Sequence, residues 1–292
     1  MKLWYNPALK TDKDSYVHAL TRNVHYPGVM NYSSKAGTIE LAFERTNSPA
    51  FVTLAAGLNV DNSGDGYMNA SSAMLALAYA MPVNYNETYL ALGFQGNYSF
   101  NKVGYSGNYY SFPDDFDKYG ALGWSLRRDP YQSGYNFGYF TVNAGTALFH
   151  NGEEQQWYIG ASARYINHPY TEGTYTISLP TTYGMQAGYT FPVNAQAKLS
   201  VYGNASWQTG STNNVQEAFI GIYSTRTVNV GDSSSFDITY GVGVSVKEAV
   251  EPNMGFQFGQ HLLAVYYEFN KLGKLLGYYR RNALDLTYRY TF

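Results

Sequence analysis

Along residues 236–247 every second side chain is apolar: Phe236, Ile238, Tyr240, Val242, Val244 and Val246 alternate with Asp237, Thr239, Gly241, Gly243, Ser245 and Lys247. Successive side chains of a strand point to opposite faces, so this run is a ribbon with one greasy face and one polar or small face. The end of the chain repeats the pattern, with Leu284, Leu286, Tyr288, Tyr290 and Phe292 set against Asp285, Thr287, Arg289 and Thr291. Ile39, Leu41 and Phe43 alternate with Glu40, Ala42 and Glu44, and weaker versions run through 90–99, 136–149, 157–165, 185–191, 197–203 and 218–223. Turn-rich spacers such as 61–66, 151–152 and 231–233 separate the runs. They are too short for crossover helices, so neighbouring strands pair antiparallel in a meander.

A helix crossing a bilayer needs about 20 mostly apolar residues in a row. Among the longest uncharged stretches are 66–86 and 173–197. The second is broken by Pro180, Gly184, Gly188 and Pro192, and the apolar centre of the first stops at Pro82. Neither spans as a helix. The alternation then fits either a soluble sandwich with an apolar core or an outer-membrane barrel with an apolar exterior. Composition favours the barrel. Only 14% of residues are charged, against roughly a quarter in a soluble domain. The polar faces carry Gly, Ala, Ser and Thr rather than Lys and Glu. Tyrosines gather near strand ends (Tyr89, Tyr98, Tyr109, Tyr110, Tyr189, Tyr266, Tyr267, Tyr278 and Tyr279), as expected of interfacial girdles. The closing alternation Tyr288, Tyr290, Phe292 resembles the C-terminal signal read by the barrel-assembly machinery of bacterial outer membranes.

At about 20 residues per tilted strand and its connection, the chain accommodates about 14 strands, with 12 the nearest alternative. The expectation is an all-β, single-chain, up-and-down antiparallel transmembrane barrel over residues 16–292, preceded by a periplasmic or lumenal segment at 1–15. An open sheet edge in hydrocarbon costs several kcal/mol per unpaired group, so the last strand must pair with an early one. No apolar h-region or small-residue cleavage site precedes Leu3-Trp4-Tyr5, so for an exported protein the start is expected to be that of a mature form or an engineered one.

The charged residues on the inward phase, Glu40, Glu44, Arg164, Asp237, Asp285 and Arg289, are expected to line the lumen, either as ion pairs or as a selectivity lining. A net charge of −2 leaves no basic excess for nucleic acid. With no Cys, no Gly-x-Ser-x-Gly elbow and five scattered histidines, the chain offers no cysteine-ligated metal and no local catalytic motif. No enzyme activity, metal or cofactor is expected. Asp61-x-Ser63-x-Asp65-Gly66 imitates half of a calcium loop, but its twelfth position is Ser72, and a hairpin turn explains it as well. The segment 105–119 is the unusual one: Tyr109, Tyr110, Phe112, Asp114, Asp115, Phe116 and Asp117 put rigid aromatics beside carboxylates on a long loop. That suits contact with a protein partner or a glycan. A loop that only packs on its neighbours is the alternative.

Trp4-Tyr5-Asn6-Pro7-Ala8 near the start, then Gly57-Leu58-Asn59-Val60-Asp61-Asn62-Ser63-Gly64, the small-residue strand 71–82 and Leu90-Ala91-Leu92-Gly93-Phe94 occur in a fixed order. They are followed by 157–169 and by Tyr183-Gly184-Met185-Gln186-Ala187-Gly188-Tyr189. In order and spacing the chain resembles the PorP/SprF family of type IX secretion membrane proteins over nearly its whole length. Two departures stand out. The short polar and aromatic segment upstream of Asn-Pro-Ala is missing, and the family's Arg-x-x-Trp on the first strand is replaced by Arg22-Asn23-Val24-His25-Tyr26. The resemblance implies the outer membrane of a Gram-negative, Bacteroidota-like bacterium, in contact with lipid and lipopolysaccharide. It also implies work with the secretion machinery, in the export or anchoring of a large surface protein such as a gliding adhesin through that partner's C-terminal domain. The other reading of such a barrel is a channel for small solutes or hydrophobic compounds.

Overall fold

The computed structural model describes residues 2–25, 31–45, 48–63, 68–83, 87–103, 116–117, 120–121, 135–152, 154–171, 177–208, 216–230, 234–245, 249–270 and 282–292. Fourteen strands form one closed antiparallel barrel. They are β1 Tyr16–His25, β2 Asn31–Arg45, β3 Ser48–Ser63, β4 Met68–Pro82, β5 Thr88–Val103, β6 Tyr135–Asn151 and β7 Gln156–Arg164. The second half is β8 Thr182–Asn194, β9 Ala197–Gln208, β10 Gln216–Val230, β11 Ser234–Ser245, β12 Ala249–Phe258, β13 His261–Asn270 and β14 Asn282–Thr291. Each strand pairs with its neighbours in chain order, and β1 closes on β14 from Tyr16↔Thr291 to His25↔Asn282. Closure satisfies the backbone groups that an edge would leave bare in lipid. This is the up-and-down meander expected, at the larger of the two strand counts.

The alternation sorts the side chains into lumen and lipid. On β4, Met74, Ala76, Ala78 and Ala80 point inward and are buried, while Leu75, Leu77 and Tyr79 point outward, Leu75 at 70% exposure. Val242 and Val244 on β11 and Leu284, Leu286 and Tyr288 on β14 face outward in the same way. Small residues inside and large apolar ones outside invert the arrangement of a soluble core, and the solvent that accepts such a surface is hydrocarbon. The connections at one end are short (46–47, 83–87, 152–155, 195–196, 231–233 and 259–260), whereas the other end has 104–134, 165–181 and 271–281. Short turns mark the periplasmic end of such barrels and long loops the external end.

Three local expectations are corrected. Tyr89 and Tyr266 are not girdle residues. Tyr89 shares its phase with Ala91 and Gly93 and is buried inside against Phe51 and Phe149, and Tyr266 lines the lumen beside Glu268. The spacer expected from Asp61 onward begins later, because Asp61, Asn62 and Ser63 extend β3 opposite Ser34, Ser33 and Tyr32. Cross-strand pairing there outweighs turn propensity, and the Asp61 carboxylate accepts from Asn59 Nδ2 at 2.7 Å as a strand residue. Strand ends elsewhere lie beyond the alternating runs, as on β10, where the ladder extends to Val230.

Residues 2–15 occupy the lumen. A short 3-10 turn at Lys2–Trp4 sits at mid-barrel, where Leu3 packs with Ala55 and Ala76. The chain then descends, and Leu9 joins Phe51, Ala80, Tyr89, Ala91, Ala147 and Phe149 in an apolar cluster near the periplasmic end. At the rim Lys13 Nζ meets Glu44 Oε2 at 2.7 Å, and Ser15 O accepts the Phe292 amide at 3.0 Å.

Candidate functional site

The inner wall of β5 to β8 is built to receive Asn6-Pro7-Ala8. Gly93, Gly145 and Gly160 leave a trough there. A Cβ on Gly93 would come within 2.6 Å of the Pro7 carbonyl carbon, and one on Gly145 within 2.0 Å of Asn6 Oδ1. Only glycine permits so close an approach of backbone to wall. The fully buried Asn6 amide then does the bonding. Its Nδ2 donates to Thr146 O (3.2 Å), Ala161 O (3.1 Å) and Gln186 Oε1 (3.0 Å), and its Oδ1 accepts from the Ala8 amide (2.9 Å). The last bond closes an Asx turn that aims Pro7 into the trough. Asn6 thus couples the segment to β6, β7 and β8 at once.

The opposite wall bounds an eccentric cavity of about 1350 Å³. Its lining runs from Gln156 and Thr190 near the periplasmic end to Glu217 and Ala249 near the external end. Aromatic rings fold over glycines of the next strand along this wall: Tyr158 over Gly188, Tyr202 over Gly221, Tyr223 over Gly241 and Phe219 over Gly243. A ring laid on a neighbouring glycine fills the missing side-chain volume and pins the register. Tyr202 and Tyr223 are stacked, with centroids 4.8 Å apart, and Phe219 lies 5.5 Å from Tyr202. Toward the external end the Arg22 guanidinium donates to Glu268, and to Asp285 Oδ2 at 3.0 Å. Glu251 lines the cavity beside this group, together with Tyr202 and Tyr266. The β12–β13 register runs on either side of Glu251-Pro252 and skips that step, where Pro252 has no N–H to give.

Of the charges expected inside, Asp285 belongs to this cluster. Glu40 is buried 3.6 Å from His18 Nε2. Arg289 lies over the Tyr16 ring and reaches Gln257 Oε1 at 3.4 Å. Arg164 lies 6.0 Å from the centroid of Tyr5, in the inserted segment. Asp237 accepts the Thr227 hydroxyl at 2.7 Å, and Glu44 sits exposed at the periplasmic rim with Lys13. Tyr288 binds His261 Nδ1 through its hydroxyl at 2.8 Å, while Tyr290 and Phe292 stack on the same face. Tyr109, Tyr110, Phe112, Asp114 and Asp115 lie outside the described residues, and Phe116–Asp117 forms a two-residue ladder with Gly120–Ala121. Sequence reading missed Arg22, Glu251, Glu268 and the ring-on-glycine pairs. β12 and β13 were not among its alternating runs, so Glu251 and Glu268 received no phase. The ring pairs become visible only once the register is known. Among the described residues, no group of His, Asp and Glu is placed to hold a metal ion.

The fold has known counterparts. The chain is similar to the Pseudomonas putida toluene transporter TodX, with 8% identity and a TM-score of 0.56, covering 99% of this chain and 92% of that one. It is also similar to a FadL homologue of Pseudomonas aeruginosa, with 10% identity and a TM-score of 0.54 over 99% and 93% of the two chains. At such identities the likeness is one of fold alone. No curated protein matches the sequence. The sequence does match, over residues 1–290, the family described as type IX secretion system membrane protein PorP/SprF. A closed barrel with a lipid-facing exterior places the chain in the outer membrane of a Gram-negative bacterium. With nearly every residue inside the match, this chain belongs to the PorP/SprF family of type IX secretion system membrane proteins.

Proposed function

We propose that this barrel anchors, or helps export, a large cell-surface protein of the adhesin type by holding that partner's C-terminal domain, and that it does so without catalysis. The observation that carries the reading is membership, across residues 1–290, of a family of secretion-system membrane proteins. The architecture supports it. The long connections gather at the external end, and the segment of residues 2–15 fills one side of the lumen, as suits a receptor more than a wide pore. Purification from native outer membranes tests the reading: a large surface protein should come along, and removal of residues 104–134 should release it. Absence of any such partner from the intact protein would refute anchoring.

The cavity favours a second reading, passage of small solutes or hydrophobic compounds. Robust open-pore current from the purified protein in planar bilayers would support passage over anchoring.

A further inference from the structure

We propose that the lumenal cavity is a receiving groove for an extended peptide segment that carries arginine or lysine. The inference rests on the anchoring reading and gives the partner's inserted segment a chemistry.

Size comes first. Small-molecule pockets occupy about 300–1,000 Å³. This cavity, at about 1350 Å³, is larger and is drawn out along the wall from Gln156 to Glu217, a shape that fits a length of chain.

Charge comes second. The external part of the groove is lined by Glu217, Glu251, Glu268 and Asp285, with Arg22 as their basic neighbour. The Arg22 guanidinium is already engaged by Glu268 and Asp285. Among the described residues no hydrogen bond or ion pair reaches the Glu251 carboxylate. Among the described residues carboxyl groups thus outnumber counter-charges inside low-dielectric walls, and a cation entering from outside would be the partner that Glu251 lacks. An anionic segment would be repelled there, and a neutral one would leave that carboxylate without a counter-charge.

The third observation is how this lumen already holds a peptide. Lys2 of the inserted segment places its ammonium 4.6 Å from the centroid of Tyr158, and Lys10 lies 3.8 Å from that of Tyr16. Tyr158 is the first of the rings laid over glycines, and Tyr202, Tyr223 and Phe219 continue the series along the groove. A cation against a ring face is the same contact repeated, with Lys10 also bound to Asp12 Oδ1 at 2.8 Å. The groove thus offers rings for the body of a peptide and carboxylates for its cationic side chains.

The test uses the full chain purified in detergent and two fluorescein-labelled hexapeptides. One alternates arginine with tyrosine and the other glutamate with tyrosine. Anisotropy should show the arginine peptide binding at least about tenfold more tightly, with an affinity that falls as salt is raised. Glu251→Gln keeps the shape of the side chain and removes its charge, and it should weaken the arginine peptide by about threefold to tenfold. Tyr202→Ala should weaken it independently of salt. Equal binding of the two peptides, or an arginine peptide indifferent to Glu251→Gln, overturns the proposal. The anchoring reading is scored separately by co-purification. A surface protein that stays bound while the peptides are not distinguished refutes the groove alone. Discrimination between the peptides with no co-purified protein refutes anchoring and leaves the groove's preference standing.

Discussion

At the scale of single residues, Asn6 shows how one amide ties a lumenal segment to a barrel. Its three donor contacts and one acceptor contact are all internal, so truncation leaves strand carbonyls and the Gln186 side chain short of a partner. Losing buried partners of this kind costs about 1–3 kcal/mol. Asn6→Ala should therefore lower the unfolding midpoint of the folded band on heat-modifiable gels and make the N-terminal segment more accessible to protease. Gly145→Ala should do the same from the other side, since its new methyl would lie where Asn6 Oδ1 sits. Both changes disrupt the same docking site, so the double variant should be little worse than either single one. Additive losses would show that Asn6 and Gly145 act through separate contacts and not through one docking site.

At the scale of the strand, the face that meets lipid sets what a charge costs, and depth sets how much. Val244 faces outward as its alternation predicts, but it is the penultimate residue of β11 at the external end, away from the bilayer centre. Leu75 lies near the middle of β4 and is 70% exposed. Arginine facing lipid costs about 2–4 kcal/mol at the midplane and about 0–1 kcal/mol near the interfaces. Leu75→Arg should thus be markedly more destabilising than Val244→Arg in equilibrium refolding into lipid vesicles, and equal costs would contradict the depth assignment. Strand identity and facing were legible because period two is local: Phe236, Ile238 and Tyr240 announce their face without help from the rest of the chain. Pairing was legible too, through the short spacers and the need for closure. The lumen was not. Tyr89 and Tyr266 look like girdle tyrosines until the register puts them inside. Arg22 on β1 is remote in sequence from Glu251 and Glu268 on the β12–β13 hairpin, and they meet only because β1 closes on β14 beside β13 and β12.

For the whole molecule, strand pairing and lumen filling are separable. The barrel is held by ladders between strands, whereas residues 2–13 contribute side-chain contacts to the inner wall. Deleting residues 2–13 spares Ser15, whose carbonyl and hydroxyl bind Phe292 and Ala42 at the seam. The shortened chain should still insert and close, with some loss of stability from the missing Leu3 and Leu9 contacts. It should also conduct several times more current than the intact chain, because the side of the lumen that Leu3, Asn6 and Leu9 occupied becomes water-filled. The sign of the selectivity follows from the inward charges. Among the described residues Glu40, Glu44, Asp61, Glu217, Asp237, Glu251, Glu268 and Asp285 outnumber Arg22, Arg164, Lys198 and Arg289 on the inward phase, so the opened lumen should favour cations. In bilayers with a salt gradient the reversal potential should shift toward the cation equilibrium potential. Neutralising Glu251, Glu268 and Asp285 together with Arg22 should then diminish that shift. Current unchanged by the deletion would show that the N-terminal segment does not obstruct the lumen, and an anion preference would show that the arginines, not the carboxylates, dominate its field.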